Sequence, residues 1–259
     1  MELLVFGDGP LGRAVAAAAR DQGWPEPRVV GRPASGRHDH AALRGPAVVI
    51  EASRGDAVGP NVEAALDAGH RHFVIGTTGW ETDRAWVERA LRDHGATAVA
   101  APNLSLGVAL FSRLVDAAVD LFGPLDSYDP FVVEWHRRGK RDRPSGTARE
   151  LTRRILERHP RKTRTADPRR DGPPAEDELD VAVVRAGAAP GMHLVGFDAD
   201  GETIELRLTA RDRSSYAAGA LVAAEWVSAA PRDHGLQSFD AVVDDLLAAT
   251  GRSPVASAA

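Results

Sequence analysis

Gly7-Asp8-Gly9-Pro10-Leu11-Gly12 lies between a short apolar run, "ELLVF", and an Ala-rich stretch with helical spacing, "PLGRAVAAAARDQG". As a bare hexapeptide, GxGxxG suits many tight Gly turns. Between a predicted strand and a predicted helix it becomes a dinucleotide fingerprint. Its glycines permit a tight turn and close backbone approach, and the helix N-terminus offers N–H donors and positive dipole to a pyrophosphate. Gly7, Gly9, Pro10, Leu11 and Gly12 are therefore the first candidate cofactor contacts. This one feature predicts that the N-terminal part is a parallel, doubly wound α/β sheet.

The pattern after it agrees. "PRVVGR", "AVVIEAS", "HFVIGTTG" and "ATAVAAPN" read as further short buried strands. Helix-like stretches, "NVEAALDAGH" and "ETDRAWVERALRDHG", fall between later pairs, the alternation that builds βαβ units. Beyond about residue 125 the pattern changes. "DPFVVEWH" reads as a strand, "SGTARELTRRILERH" as a helix, and residues 161–178 as an exposed, mobile, charged and Pro-rich loop. Three strands follow, with "DADGE" a hairpin turn, and then an Ala-rich helix and a short closing helix. This half reads as α+β.

An NAD-selective site usually holds the adenosine 2′-hydroxyl with an acid at the end of the second strand. Here that strand ends "VVGRPASGR". Gly31 stands where the acid is expected, with Arg32 and Arg37 close by, so a 2′-phosphate is favoured: NADPH, with NADH possible.

Composition limits the partners. The net charge of −5 suggests no nucleic acid, and the absence of cysteine excludes disulfides, thiolate zinc sites and a Cys nucleophile. No metal is expected. No apolar run is long enough for a membrane span, no basic leader precedes the first strand, and a cytoplasmic location is expected. The exception to this acidic balance is local. "EWHRRGKRDRPSGTA", residues 134–148, gathers four Arg and one Lys around one His.

Several motifs occur in order: Gly76-Thr77-Thr78-Gly79, Ala101-Pro102-Asn103-Leu104-Ser105, Glu134…Lys140…Pro144-Ser145-Gly146-Thr147-Ala148, Arg185-Ala186-Gly187, Gly191-Met192-His193 and Arg213…Tyr216. In this series the chain resembles the dihydrodipicolinate reductases (4-hydroxy-tetrahydrodipicolinate reductases) of lysine and diaminopimelate biosynthesis over nearly its whole length. The resemblance implies a Rossmann-like domain, residues 1–124 plus 220–259, and a smaller α+β domain, residues 125–219, with an open mixed sheet that carries the substrate site and builds a homotetramer. It implies NAD(P)H-dependent reduction of a small cyclic dicarboxylate. Gly76, Thr78, Ala101, Asn103 and Leu104 match positions beside the nicotinamide.

Chemistry suits these assignments. His136 is the expected proton donor, because hydride addition to a conjugated imine leaves enamine character that must be protonated and an imidazole titrates near working pH. Lys140 is expected to hold a carboxylate and favour anionic character in the reduced substrate. Ser145, Gly146 and Thr147 open a helix and would grip the other carboxylate. His193 is expected to be structural. Four positions depart from the family pattern. Arg137 replaces a second histidine and remains a candidate substrate contact, Gly139 replaces a basic residue, the nucleotide loop is one residue short, and Gly31 replaces the acid. Together they leave a second reading, a paralogous NADPH-dependent cyclic imine reductase.

Overall fold

The structure is a computed structural model, and it describes residues 1–33, 38–167, 169 and 171–251. In chain order the elements are β1 (Leu3–Phe6), α1 (Pro10–Asp21), β2 (Arg28–Val30), α2 (His40–Leu43), β3 (Val48–Glu51), α3 (Val58–Asp67), β4 (His72–Ile75), α4 (Arg84–Asp93) and β5 (Thr97–Ala100). Then come α5 (Leu106–Phe122), β6 (Asp129–His136), α6 (Gly146–Arg158), β7 (Arg164–Thr165), β8 (Glu178–Arg185), β9 (Met192–Ala199) and β10 (Glu202–Thr209). The chain closes with α7 (Ser214–Ala229), β11 (Gly235–Ser238) and α8 (Phe239–Ala249). No helix among the described residues is long and apolar enough to cross a membrane.

The chain divides into two compact units. The first runs from Met1 to Leu106 and resumes at Arg213; the second is Gly107–Asp212. The sequence expectation placed the outward boundary at 124/125 and the return at 219/220. The observed division is earlier at both points, and α5 explains the first shift. Its Phe111, Val115, Ala118 and Val119 pack into the second unit's core with Val132, Leu151, Ile155 and Leu179. Sequence patterning assigned no element to residues 106–122. Residues 252–259 lie outside the described residues.

In the first unit, six parallel strands lie in the order β11-β5-β4-β3-β1-β2. The order reverses at β1, between β2 and β3, which is where an open α/β sheet leaves a crevice for ligand at the strands' carboxyl ends. Leu3, Leu4, Val5 and Phe6 of β1 and Val48, Val49 and Ile50 of β3 are buried, as central strands covered on both faces must be. The Gly7 turn is geometrically obligatory. Gly7 has φ +103°, and a Cβ on Gly12 would overlap the Gly7 carbonyl oxygen, so both positions accept only hydrogen. The sixth strand, β11, was not expected from sequence; it pairs with β5 at the sheet edge.

In the second unit the sheet order is β10-β9-β6-β8-β7. β6 pairs parallel with β8 and antiparallel with β9, and β9 with β10. Asp200 and Gly201 make the two-residue turn between β9 and β10 that "DADGE" predicts. Residues 161–178 are not wholly loop. Arg164–Thr165 adds a strand beside β8, and Lys162 is buried and ion-paired with Asp129. The inward sheet face carries Val132, Leu179, Val195 and Phe197 against α5 and α6. Strand alternation sends Trp135 and Val184 to the opposite face, where they stand 40% and 41% exposed.

Candidate functional site

The first unit holds a cavity of about 640 Å³ at the carboxyl ends of β1, β2 and β3. Phe6, Gly7, Gly31, Arg32, His38, Ser53, Arg54 and Asn61 are among its walls. Next to it, Gly9 caps α1 with no side-chain hydrogen bond to the helix, and Pro10 opens the helix. A Cβ at Gly9 would meet nothing within 4 Å. The N–H groups of Leu11 and Gly12 are thus left for an anion, with open space over Gly9. That is the cradle a dinucleotide pyrophosphate needs, so the residues present fit NAD(P)H.

Arg32 is exposed on the cavity wall, as its predicted role requires, while Arg37 lies outside the described residues. Two further residues there were not anticipated. Arg54 holds Asp56 through two nitrogens, at 3.0 and 3.2 Å. His38 sits against the Phe6 ring with centroids 4.9 Å apart, and its Nε2 meets Asn61 Oδ1 at 2.8 Å. Asn61 donates through Nδ2 to Glu51 at 2.7 Å, so its Oδ1 accepts from His38. Glu51 is fully buried and also accepts from the Ser53 N–H at 2.8 Å and the Thr77 hydroxyl at 3.1 Å. Burial outweighs these hydrogen bonds and raises the carboxyl above its ordinary value.

Gly76 sits where a Cβ would press on the Leu104 and Leu11 side chains. Thr78 is exposed, while Thr77 points inward to Glu51. Ala101 and Asn103 are half-buried, and Asn103 Oδ1 accepts from the Ser105 N–H at 2.9 Å. Leu104 is buried, so any contact it makes with cofactor is through its backbone.

In the second unit the chemistry gathers around Glu134. Adjacent strands set it up. Glu134 lies directly opposite His193 in the β6–β9 pair, and His136 opposite Arg185 in the β6–β8 pair. Register partners and residues two apart share a face, so all four project to the helix-covered side. Glu134 is fully buried, and both its oxygens accept from the Ser145 N–H at 3.1 Å. Arg185 donates to it at 2.6 Å and to the Asp142 carbonyl at 2.5 Å. Burial pushes Glu134 upward, yet Ser145 and Arg185 outweigh it and hold the carboxyl below its ordinary value. A buried carboxylate needs this compensation.

His136 Nδ1 stands 3.5 Å from Glu134 Oε2 and has no hydrogen-bond partner. The contact is coulombic. Burial lowers the imidazole's basicity; Glu134 opposes this, while Lys140 and Arg185 add to it. Nε2 faces Gly191, where a Cβ would come within 2.9 Å. The glycine keeps that edge of the ring clear. His193, expected to be structural, lies edge-on to His136 with centroids 5.2 Å apart and is pushed down to about 4, chiefly by burial.

Ser145 caps α6: its hydroxyl accepts from the Ala148 N–H at 3.1 Å. Gly146 is exposed and Thr147 half-buried at the same helix start. Lys140, half-buried, is ion-paired to Asp142 at 2.8 Å. Arg137 is exposed, its N–H bonded to the Ala189 carbonyl at 2.7 Å. Thus His136, Lys140, Ser145 and the α6 N-terminus come together. Sequence reasoning passed over Glu134 and Arg185, although both stood inside the quoted motifs. Their signal was the pairing of a strand-borne acid with a strand-borne arginine, visible only once β6 and β8 are known to be neighbours.

Comparison with known proteins gives one consistent answer. Residues 107–243 match the family model for the dihydrodipicolinate reductase C-terminus. The 4-hydroxy-tetrahydrodipicolinate reductase of Archaeoglobus fulgidus is 38% identical over 184 residues, 70% of each chain. That of Rubrobacter xylanophilus is 39% identical over 200 residues, 76% of this chain and 73% of its own. The structure of dipicolinate-bound dihydrodipicolinate reductase from Paenisporosarcina sp. TG-14 superposes with a TM-score of 0.68 at 18% identity, covering 92% of this chain and 97% of that one. It supports the fold.

Proposed function

The chain belongs to the dihydrodipicolinate reductase family, and from that premise we propose a division of labour among its residues and a preference for NADPH. The enzyme is a pyridine-nucleotide-dependent oxidoreductase that reduces 4-hydroxy-tetrahydrodipicolinate to tetrahydrodipicolinate. The observation that carries the residue assignment is the meeting of a buried imidazole, a lysine and the Ser145-capped start of α6 around one compensated carboxylate.

The nicotinamide supplies the hydride. Leu11, Gly12 and the α1 dipole hold the pyrophosphate, and Gly76, Thr78, Ala101 and Asn103 line the nicotinamide pocket. In the second unit, the N–H groups of Gly146 and Thr147 with the Thr147 hydroxyl grip one substrate carboxylate. Lys140 leaves Asp142 to take the other, and Arg137 offers a permanent charge at the rim. His136 then delivers the proton from Nε2. Glu134, 3.5 Å from Nδ1, fixes the ring and stabilises its cationic form. A dianionic substrate offsets the Lys140 and Arg185 charges, which add to burial in making this imidazole a poor base.

NADPH is preferred because Arg32 and Arg54 flank the adenosine cavity and Gly31 gives no acid to hold a free 2′-hydroxyl. The outward sheet face of the second unit, with Trp135 and Val184 exposed, supports assembly into a homotetramer, and the location is cytoplasmic. The test is NADPH oxidation with freshly generated 4-hydroxy-tetrahydrodipicolinate, repeated with NADH and with a monocarboxylate cyclic imine. Turnover of the dicarboxylate at about 10⁴ M⁻¹s⁻¹ or more is expected. Faster turnover of the monocarboxylate would transfer the assignment to a cyclic imine reductase.

A further inference from the structure

We propose that Glu134, His136 and His193 form a binding site for one zinc-class divalent cation, and that filling it switches the enzyme off. The three side chains are buried, and one donor atom from each lies within 4.8 Å of the others. Glu134 Oε2 is 3.5 Å from His136 Nδ1 and 3.8 Å from His193 Nε2. Tetrahedral zinc with bonds of about 2.0–2.2 Å holds its ligands roughly 3.3–3.6 Å apart. The two contacts to the carboxylate therefore stand at or near the spacing that coordination requires. All three residues are carried by β6 and β9, which are hydrogen-bonded neighbours, so the set is held by backbone.

His193 Nε2 meets the Ser145 hydroxyl at 3.1 Å, and that hydroxyl also accepts the Ala148 N–H as the cap of α6. A metal on Nε2 takes the place of this one Ser145 contact. His136 Nδ1 is buried with no hydrogen-bond partner, an unusual condition for a polar atom. Arg185 donates to Glu134 Oε1, the Ser145 N–H is shared between both oxygens, and Oε2 also looks toward both rings. Two imidazoles and one carboxylate, with a fourth position for water, are a zinc ligand set and a poor one for calcium or magnesium. The Arg185 charge beside the carboxylate weakens any cation here, which makes this a reversible site, well below structural zinc in affinity. With a metal on Nδ1, His136 cannot become imidazolium, and the proton left on Nε2 is that of a neutral ring, far too weakly acidic to donate. This inhibitory consequence rests on the proton-donor role proposed above; binding itself does not.

The experiment separates the two. CoCl₂ is titrated into the wild-type enzyme, without cofactor or substrate, and the visible d–d absorption of four-coordinate cobalt is followed; ZnCl₂ is then used to displace it. The same titration is run on His136→Gln, His193→Gln and, as a control, the exposed helix-end variant His94→Gln, with thermal melts to confirm folding. Saturable one-to-one binding is expected in the wild type and the control, weakened by at least roughly 10–100-fold in each Gln variant, the scale on which lost support of a metal site is felt. Absence of a four-coordinate cobalt spectrum in the wild type, or unchanged affinity in the folded His193→Gln variant, overturns the site. ZnCl₂ should inhibit turnover over the concentration range in which it displaces cobalt, with EDTA restoring activity. Binding without inhibition would keep the site and refute the switch and the role of His136.

Discussion

His136 lies where a single substitution separates chemistry from binding. Glutamine keeps the volume and polarity of the ring but has no proton to give. Replacing His136 with Gln is expected to lower kcat by roughly 10²–10⁴-fold with a smaller change in KM, read by steady-state NADPH oxidation. An equal loss spread over both parameters would make it a binding residue. Lys140→Ala, by contrast, should harm both, because that charge both holds substrate and stabilises the product's anionic character. Glu51 offers a second test at this scale. Its folded carboxyl is raised above the ordinary value of 4.5, first by burial. A group with a raised folded value lends its full stability below the unfolded value and loses it as pH climbs through the folded one. The stability of the wild type relative to Glu51→Gln should therefore decline from about pH 4.5 upward and then level off, as followed by denaturant unfolding. A difference that is flat with pH would show that the hydrogen bonds from Ser53, Asn61 and Thr77 fully offset burial.

Helices and strands fix how close these residues come. Gly219 of α7 shows this: a Cβ there would overlap the Leu104 carbonyl oxygen, with the Phe239 ring next nearest. Gly219→Ala should push α7 off the 101–105 loop and cost about 1–3 kcal/mol, the scale of overpacking, seen as a lower Tm and weaker nucleotide binding. Beyond the ends of β2 and β3, Arg32→Ala and Arg54→Ala should each raise the KM for NADPH and leave that for NADH nearly unchanged; equal effects on both would remove the 2′-phosphate argument. The element scale also shows what could be read from the chain. The β1–Gly7–α1 unit was legible because its glycines, Pro10 and Ala-rich stripe all serve one local geometry. Helix α5 was not. Its buried Phe111, Val115, Ala118 and Val119 repeat with helical spacing, but the exposed Leu114 and Leu121 on its outer side blur that stripe. β11 was equally hidden, since "GLQS" has no strand pattern and gains its place only by pairing with β5. In the site, His136, Lys140 and Ser145 could be named from one motif. Glu134, Arg185, Asn61 and His38 became visible only through register and neighbours far away in sequence.

For the whole molecule the question is what covers the outward face of the second unit's sheet. One residue of strand alternation separates its two roles. Glu134 and His136 turn inward with Val132, while Trp135 between them turns out, 40% exposed, with Val184 of β8 opposite it in register and 41% exposed. A large ring held to the Ala186 carbonyl at 3.0 Å through Nε1 and beside an exposed valine is where the proposed assembly contact falls. The proposed homotetramer covers this face with copies of itself, and a self-complementary patch suits the two-fold contacts from which such assemblies are built. A Trp135→Glu, Val184→Glu double variant places like charges on both sides of any such contact. Light scattering with size-exclusion chromatography is expected to give four chains for the wild type at micromolar concentration and a smaller species for the variant. The variant should stay folded, because both changes lie on the face away from the core of α5 and α6. A wild type that runs as a monomer, or a variant that remains a tetramer, would move the interface elsewhere. If the variant dissociates and also loses activity, rigid support of β6 by its neighbours in the assembly becomes part of how His136 is held.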